Sequence, residues 1–153
     1  ILAGFERELP KKEIKNGLEI FREYTTVDGG SLDKAKVGDD ILVKVSARSL
    51  NGTIYNVAIV DLQPSCLEAD IESVRTSSIA RGDKVFKPDY VDSREDRIVI
   101  YGTIKNNVST FTYKAKLVNS GSFVVPPLFA ESMYDENINA YSLASHLEVG
   151  RAE

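Results

Sequence analysis

A hydrophobic period of two residues is the feature that most constrains what this chain can fold into. Apolar and polar residues alternate in residues 41–49, and residues 111–118 repeat the pattern. Because successive side chains of a β-strand point to opposite faces, this alternation predicts strands with one face on a core. The residues predicted to face that core are Ile41, Val43, Val45, Ala47, Phe111, Tyr113, Ala115 and Leu117.

Three further segments have the composition of strands. Residues 18–24 and 97–102 are rich in β-branched and aromatic residues, and residues 56–62 are apolar on both faces. An apolar run of that length predicts a central strand in a covered sheet. Because no helical segments alternate with these strands, the sequence predicts an all-β chain, an antiparallel β-sandwich with little helix.

Turn-forming residues separate the strand segments. Gly, Asn and Asp stand where turns need a positive φ angle, and Asn51-Gly52, between two apolar runs, predicts a β-hairpin. The predicted turns lie at residues 27–31, 50–53, 105–109 and 119–122.

Signals for other structure are weak. Residues 65–74 carry apolar residues at helical spacing and predict a short helix, whereas residues 83–89 predict a loop because Pro88 cannot donate to a sheet. Residues 1–16 lack periodicity and are interpreted as a lead-in segment from a preceding domain. Residues 17–153 then form one domain, which is long enough to bury a core of its own.

Charge and composition argue against two classes of function, nucleic-acid binding and membrane insertion. The chain has 153 residues and a formal net charge of −4, and nucleic-acid binding usually recruits a basic face, so no nucleic-acid partner is expected. The longest apolar runs are too short to span a bilayer, so direct membrane insertion is not expected. The chain begins at Ile1 without a start methionine or a signal segment, which we interpret as a piece of a longer protein.

The single cysteine, Cys66, stands in the segment SCLEA, which is similar to the C-x-E-Q signature of internal thioesters. A thioester needs a glutamine three residues after the cysteine, and Ala69 occupies that position. The single histidine, His146, lies far downstream, and the pair would supply only two of the three or four ligands that zinc needs. We therefore expect a buried structural thiol and no catalytic, metal or cofactor site, with a thiol-dependent enzyme using Cys66 and His146 as an alternative.

An acidic cluster lies near the C-terminal end, at Glu131, Asp135 and Glu136. Such carboxylates could belong to a calcium loop or an acid–base pair. The alternating carboxylate spacing of a calcium loop is missing, and nothing distinguishes an acid from a base. The cluster is interpreted as a solvated acidic turn.

Residues 123–142 combine two consecutive prolines with large apolar residues in a polar surrounding. The prolines disfavour regular strand pairing and favour an extended path. Large apolar groups on an irregular segment either pack over the edge of the sandwich or contact another domain.

Two stretches of the chain resemble the C-terminal domain of bacterial α2-macroglobulins. In the first, VFKPDYVDSREDRIVIYG, the residues REDR precede an apolar strand; the second is FTYKAKLVNSGSFVVPPLFAESMYD. The second is similar to the family pattern F-x-Y-x-x-[RK]-x-x-x-x-G-x-F-x-x-P-P followed by A-E-x-M-Y-D, and VAIVDLQP is similar to the family's V-D-L-x-P strand end. The resemblance covers residues 17 to 149.

The resemblance implies a macroglobulin-type, fibronectin-III-like sandwich (MG10), the last in a row of such domains. The implied whole protein is a periplasmic protease inhibitor, tethered to the inner membrane, in which a separate helical domain carries the thioester in many members. Its implied partners are the other domains of the same polypeptide, target proteases and, in some members, a cell-wall synthase. SCLEA then falls in the terminal sandwich and not in the helical domain, so the resemblance also implies that Cys66 is not the thioester.

The implied role is non-catalytic: the domain packs against the helical domain and stabilises the resting state. The candidate interdomain contact residues are Leu128, Phe129, Met133, Tyr134 and Asp135. The alternative from another class is an Ig-like adhesion or carbohydrate-binding module. That module would need an exposed aromatic platform on a strand face, whereas the aromatic residues are predicted to point mostly inward.

Overall fold

The computed structural model describes residues 14–32, 34–70, 88–94 and 96–151. These residues form twelve β-strands and no helix. The strands are β1 (Ile14–Asn16), β2 (Leu18–Thr26), β3 (Asp40–Ser49), β4 (Ile54–Leu62), β5 (Leu67–Ala69), β6 (Tyr90–Ser93), β7 (Arg97–Ile104), β8 (Ser109–Leu117), β9 (Gly121–Val125), β10 (Phe129–Ser132), β11 (Asn139–Tyr141) and β12 (Ser145–Val149).

The strands form two main sheets that enclose one core. The six-stranded sheet has the order β1-β11-β10-β4-β7-β6, and the four-stranded sheet has the order β2-β3-β8-β5. Strands β9 and β12 form a separate two-stranded sheet. The paired strands are antiparallel, and the buried cluster draws residues from all three sheets. The predicted antiparallel β-sandwich is confirmed.

The two central strands of the four-stranded sheet, β3 and β8, supply much of the core. All eight residues predicted to face it are at most 2% exposed. Burying each large apolar side chain contributes about 1.5–3 kcal/mol to stability. The predicted central strand is also confirmed, because β4 lies between β10 and β7 and its residues 57–61 are all buried.

The hairpin predicted at Asn51-Gly52 was wrong. The turn after β3 leads to β4, which belongs to the other sheet. Strand β3 already pairs with β2 on one side and β8 on the other, so no edge is left for β4. The Asn-Gly turn therefore crosses between the sheets, and the turn at 105–108 does the same between β7 and β8.

The helix predicted over residues 65–74 was also wrong where the structure describes it. Residues Leu67–Ala69 form β5, which pairs with β8. The backbone groups of this short segment gain sheet hydrogen bonds, which outweigh a weak helical spacing. Residues 71–74 and most of the predicted loop at 83–89 lie outside the described residues.

The chain changes sheets at Gly17, between β1 and β2. Gly17 has a φ of 85°, a left-handed conformation that disfavours other residues. Strand β1 pairs with β11, so residues 14–16 of the predicted lead-in segment belong to the six-stranded sheet. Residues 1–13 lie outside the described part of the chain.

A buried ion pair connects the two main sheets. Arg22 of β2 donates to Asp61 of β4, and the two side chains are 5% and 0% exposed. Tyr113 of β8 donates its hydroxyl to the same carboxylate at 2.5 Å. Arg22 also donates to the carbonyl oxygen of Pro126, in the link between β9 and β10. This cluster therefore fixes both sheets and the segment that leads into β10.

Candidate interdomain interface

The segment after the two prolines is more regular than predicted. Residues Phe129–Ser132 form β10, which pairs with β11 on one side and with β4 on the other. The prolines occupy only the link before it, and the Leu128 N–H donates to the Ser142 hydroxyl at 2.7 Å. The prediction of an irregular segment was wrong for β10, because this strand begins at Phe129, beyond both prolines and the positions that they restrict.

Beyond β10 the chain turns through residues 133–138, which we call the tip loop. Its ends are joined where the Ser132 N–H donates to the Ile138 carbonyl at 3.0 Å. Inside the loop, the N–H groups of Ile138 and Asn137 both donate to Asp135, at 3.1 and 3.0 Å. These hydrogen bonds give the loop a defined conformation.

The five candidate contact residues lie in three different parts of the structure. Met133 and Tyr134 begin the tip loop and are 55% and 84% exposed. Asp135 is exposed in the same loop. Phe129 lies at the other end of β10, on the outer face of the six-stranded sheet, and Leu128 is buried in the core. Leu128 therefore has no surface to offer a partner.

The outer face of the six-stranded sheet carries aromatic residues. Phe129 contacts Tyr141 with ring centroids 4.6 Å apart, and Tyr90 contacts Tyr101 at 5.9 Å. The neighbours of these residues along each strand face the core, so the rings face outward. The prediction that the aromatic residues point mostly inward was wrong. The error arose because β7, β10 and β11 are too short or too apolar for alternation to reveal their outer face.

The structure places the residues of the acidic cluster on two different elements. Glu131 lies on β10, whereas Asp135 and Glu136 are exposed in the tip loop. Among the described residues, no group of three His, Cys, Asp or Glu side chains could hold a metal ion. The described part of the chain also contains no helix long and apolar enough to cross a membrane.

Cys66 has the environment of a structural thiol. It is fully buried, and burial raises the pKa of the thiol above its ordinary value. A reactive cysteine needs the opposite shift, because the thiolate is the nucleophile. His146 is exposed on β12, in the two-stranded sheet, and no hydrogen bond between it and Cys66 is present. The structure does not bring the two residues together as a catalytic pair.

Comparison with known proteins identifies the family. The model of the bacterial alpha-2-macroglobulin MG10 domain matches residues 17–137. The chain belongs to this family. An alpha-2-macroglobulin from Rickettsia conorii is 35% identical over 88% of the chain, and a homolog from Yersinia pestis is 36% identical over 92%. The chain spans only 7% and 8% of those two proteins, so it corresponds to one domain of a much longer polypeptide.

The fold agrees with the family. Native alpha-2-macroglobulin from Escherichia coli has been solved from domain MG7 to the C-terminus, and part of that chain is similar to this one with a TM-score of 0.80 and 26% identity. The match covers 95% of this chain and 25% of that one. This chain and the matched part of the Escherichia coli protein therefore share a fold.

Two features of the structure were not predicted from the sequence. The Arg22–Asp61 pair was missed, although a charged residue in the apolar run of β4 signals a buried partner. Tyr55 was also missed: it is 66% exposed, and the next residue, Asn56, accepts a hydrogen bond from Met133 of the tip loop. No local pattern marks Tyr55, since its position depends on an irregularity in β4.

Proposed function

We propose that this MG10 domain is the non-catalytic C-terminal part of a bacterial alpha-2-macroglobulin-type protease inhibitor. In this proposal the tip loop docks on the upstream helical, thioester-type domain and stabilises the resting state. The observation that carries the proposal is the exposure of Met133 and Tyr134 on a loop of defined conformation.

Exposed apolar side chains on an ordered loop favour association. Tyr and Met are enriched at protein interfaces, and burying each contributes about 1.5–3 kcal/mol. The loop's internal hydrogen bonds reduce the entropy lost when it docks. Asp135 and Glu136 border the two apolar residues and would form the polar rim of the contact.

The relatives suggest when the contact would break. The Escherichia coli protein has been crystallised in a trypsin-activated form, and a Salmonella alpha-2-macroglobulin after reaction with methylamine. By analogy, protease cleavage of the parent would release the tip loop from its partner domain. The proposed setting is the periplasm, with the parent tethered to the inner membrane, target proteases as ligands and a cell-wall synthase as a further partner.

The test replaces both exposed residues in the full-length parent. Met133→Ala/Tyr134→Ala should increase spontaneous loss of the resting state, read as a shift in native-gel mobility and increased reactivity towards methylamine. Phe21→Ala is the matched control, because Phe21 is a 46% exposed aromatic residue on the other main sheet. If the double variant keeps the mobility and amine resistance of the control, the proposed docking is wrong.

A second measurement decides whether the parent forms a covalent trap. Methylamine incorporation is mapped by peptide mass in the full-length protein. A label on a glutamine upstream of Ile1 would mean a thioester that this domain helps to shield. No label would mean a non-covalent relative in which the domain has an architectural role. An adduct inside residues 1–153 would contradict the proposal.

A further inference from the structure

Strand β4 contains a β-bulge directly beside the tip loop. Ile54 pairs with Ile104 of β7 and Val57 pairs with Gly102, so β4 has one extra residue in this interval. Asn56, inside the bulge, has a φ of 56° and is the sole non-glycine residue with a positive φ in the described ranges. Such a conformation costs about 1–3 kcal/mol and persists where the surrounding structure requires it.

The bulge forms a hydrogen bond with the first residue of the tip loop. The last register pair of β10 with β4 is Ser132 with Val57, and beyond it the Met133 N–H donates to the Asn56 carbonyl at 2.9 Å. This hydrogen bond continues the register of β10 with β4 by one pair, so the Asn56 carbonyl holds the first residue of the tip loop against the sheet. The left-handed φ of Asn56 lets β4 keep this bond to β10 while it bulges against β7.

The bulge also exposes an aromatic side chain. Tyr55 is 66% exposed, although it is internal to a nine-residue strand of the six-stranded sheet. It lies one residue from the carbonyl that holds Met133. Tyr55 and the pair Met133–Tyr134 thus present apolar groups from two segments at the same end of the sandwich.

We infer that the Tyr55–Asn56 bulge is a second element of the interface, with Asn56 positioning the tip loop and Tyr55 contacting the same partner. This inference rests on the proposed function. The occupant is another domain of the same polypeptide, because the match to the Escherichia coli chain leaves 75% of that chain, from domain MG7 onward, outside this domain. The partner surface would be apolar, with donors facing the acidic residues of the tip loop.

Met133 provides the assay, because it is the single methionine of the chain. Dilute hydrogen peroxide converts its thioether to the sulfoxide, taking one oxygen atom from peroxide and releasing water. The full-length parent is oxidised in the resting state and digested with trypsin, and the mass of peptide 117–151 reports the rate. The same peptide oxidised after digestion gives the rate for a fully exposed Met133.

Two matched pairs of variants separate the two roles. Tyr55→Ala is compared with Tyr90→Ala, since Tyr90 is a 63% exposed tyrosine on the edge strand β6. Loss of a Tyr55 contact should increase the rate of Met133 oxidation about 5-fold or more, whereas Tyr90→Ala should leave it unchanged.

Asn56→Val is compared with Asn56→Gly, because both remove the amide but glycine alone tolerates the positive φ. Asn56→Val should increase the rate and Asn56→Gly should not.

The outcomes distinguish the two proposals. If Met133 in the resting wild-type parent oxidises as fast as in the free peptide, the tip loop is uncovered and the proposed function fails. If wild-type Met133 is protected but Tyr55→Ala behaves like Tyr90→Ala, the contact role of Tyr55 is refuted alone. Equal rates for Asn56→Val and Asn56→Gly refute the positioning role. Should Asn56→Val fail to fold, an increased rate for Asn56→Gly would refute that role.

Discussion

Replacing Arg22 with methionine removes the positive charge beside a carboxylate that has no contact with solvent. Asp61 is 0% exposed, and the remaining described hydrogen bond to its carboxylate would be the one from the Tyr113 hydroxyl. Breaking a buried ion pair by removing one partner costs about 3–5 kcal/mol, because the other charge stays buried without compensation. For a chain of this size, that cost corresponds to a decrease in Tm of roughly 6–20 °C.

The assay is urea unfolding of the 153-residue chain, followed by circular dichroism. The matched control is Arg48→Met, because Arg48 pairs with Glu19 at 3.3 Å on the surface, where both side chains are partly exposed. An exposed pair contributes about 0–1 kcal/mol, so the control should unfold near the wild-type midpoint. The slope of the free energy of unfolding with urea should be unchanged in both variants.

A double variant tests the mechanism. Asp61→Leu alone leaves Arg22 buried without its charge partner and should also be strongly destabilising. Arg22→Met/Asp61→Leu removes both charges, so it should cost less than the sum of the two single variants by about 3 kcal/mol. A cost below about 1 kcal/mol for Arg22→Met, or single costs that simply add, would refute this account of the buried pair.

Three further predictions concern titration, thiol reactivity and backbone conformation. Burial raises the pKa of Tyr113 well above 10.0, so the folded state keeps a proton that the unfolded state loses. The stability that Tyr113 contributes should therefore be steady below pH 10 and fall by about 1.4 kcal/mol per pH unit above it, so the free energy of unfolding from urea should fall less steeply in Tyr113→Phe than in the wild type. Burial also raises the pKa of Tyr24, which adds the same further fall to both proteins. Cys66 should react with iodoacetamide at pH 8 only as fast as the chain unfolds, and rapid labelling of the folded domain would instead favour the thiol-enzyme alternative. Gly17→Ala should lower the free energy of unfolding by about 1–2 kcal/mol, because Gly17 has a positive φ. The control Gly52→Ala should change it by less than about 0.5 kcal/mol, because no atom lies within 4 Å of the added Cβ. Equal effects of the two substitutions would contradict this reason.

The candidate interface could be predicted from the sequence only in part. The resemblance around FAESMYD selected five contact residues between positions 128 and 135, and two of these, Met133 and Tyr134, are large apolar residues that are strongly exposed. Leu128 could not be assigned to the core from the sequence. Its burial depends on packing between strands that are far apart in the sequence. The bulge at Asn56 was equally hidden, since one extra residue in a strand leaves no pattern in composition.

The sequence by itself determined the class of fold and the core faces of its strongest strands. Alternation in β3 and β8 identified all eight inward residues, because the side-chain direction in a strand is a local property of the backbone. Tertiary structure decided which strands pair and which sheet each strand joins. Asn51-Gly52 has the local chemistry of a hairpin, yet both edges of β3 are occupied by β2 and β8, so the turn crosses to the other sheet. Strand partners are set by competition between segments distant in sequence, and no local pattern records the outcome of that competition.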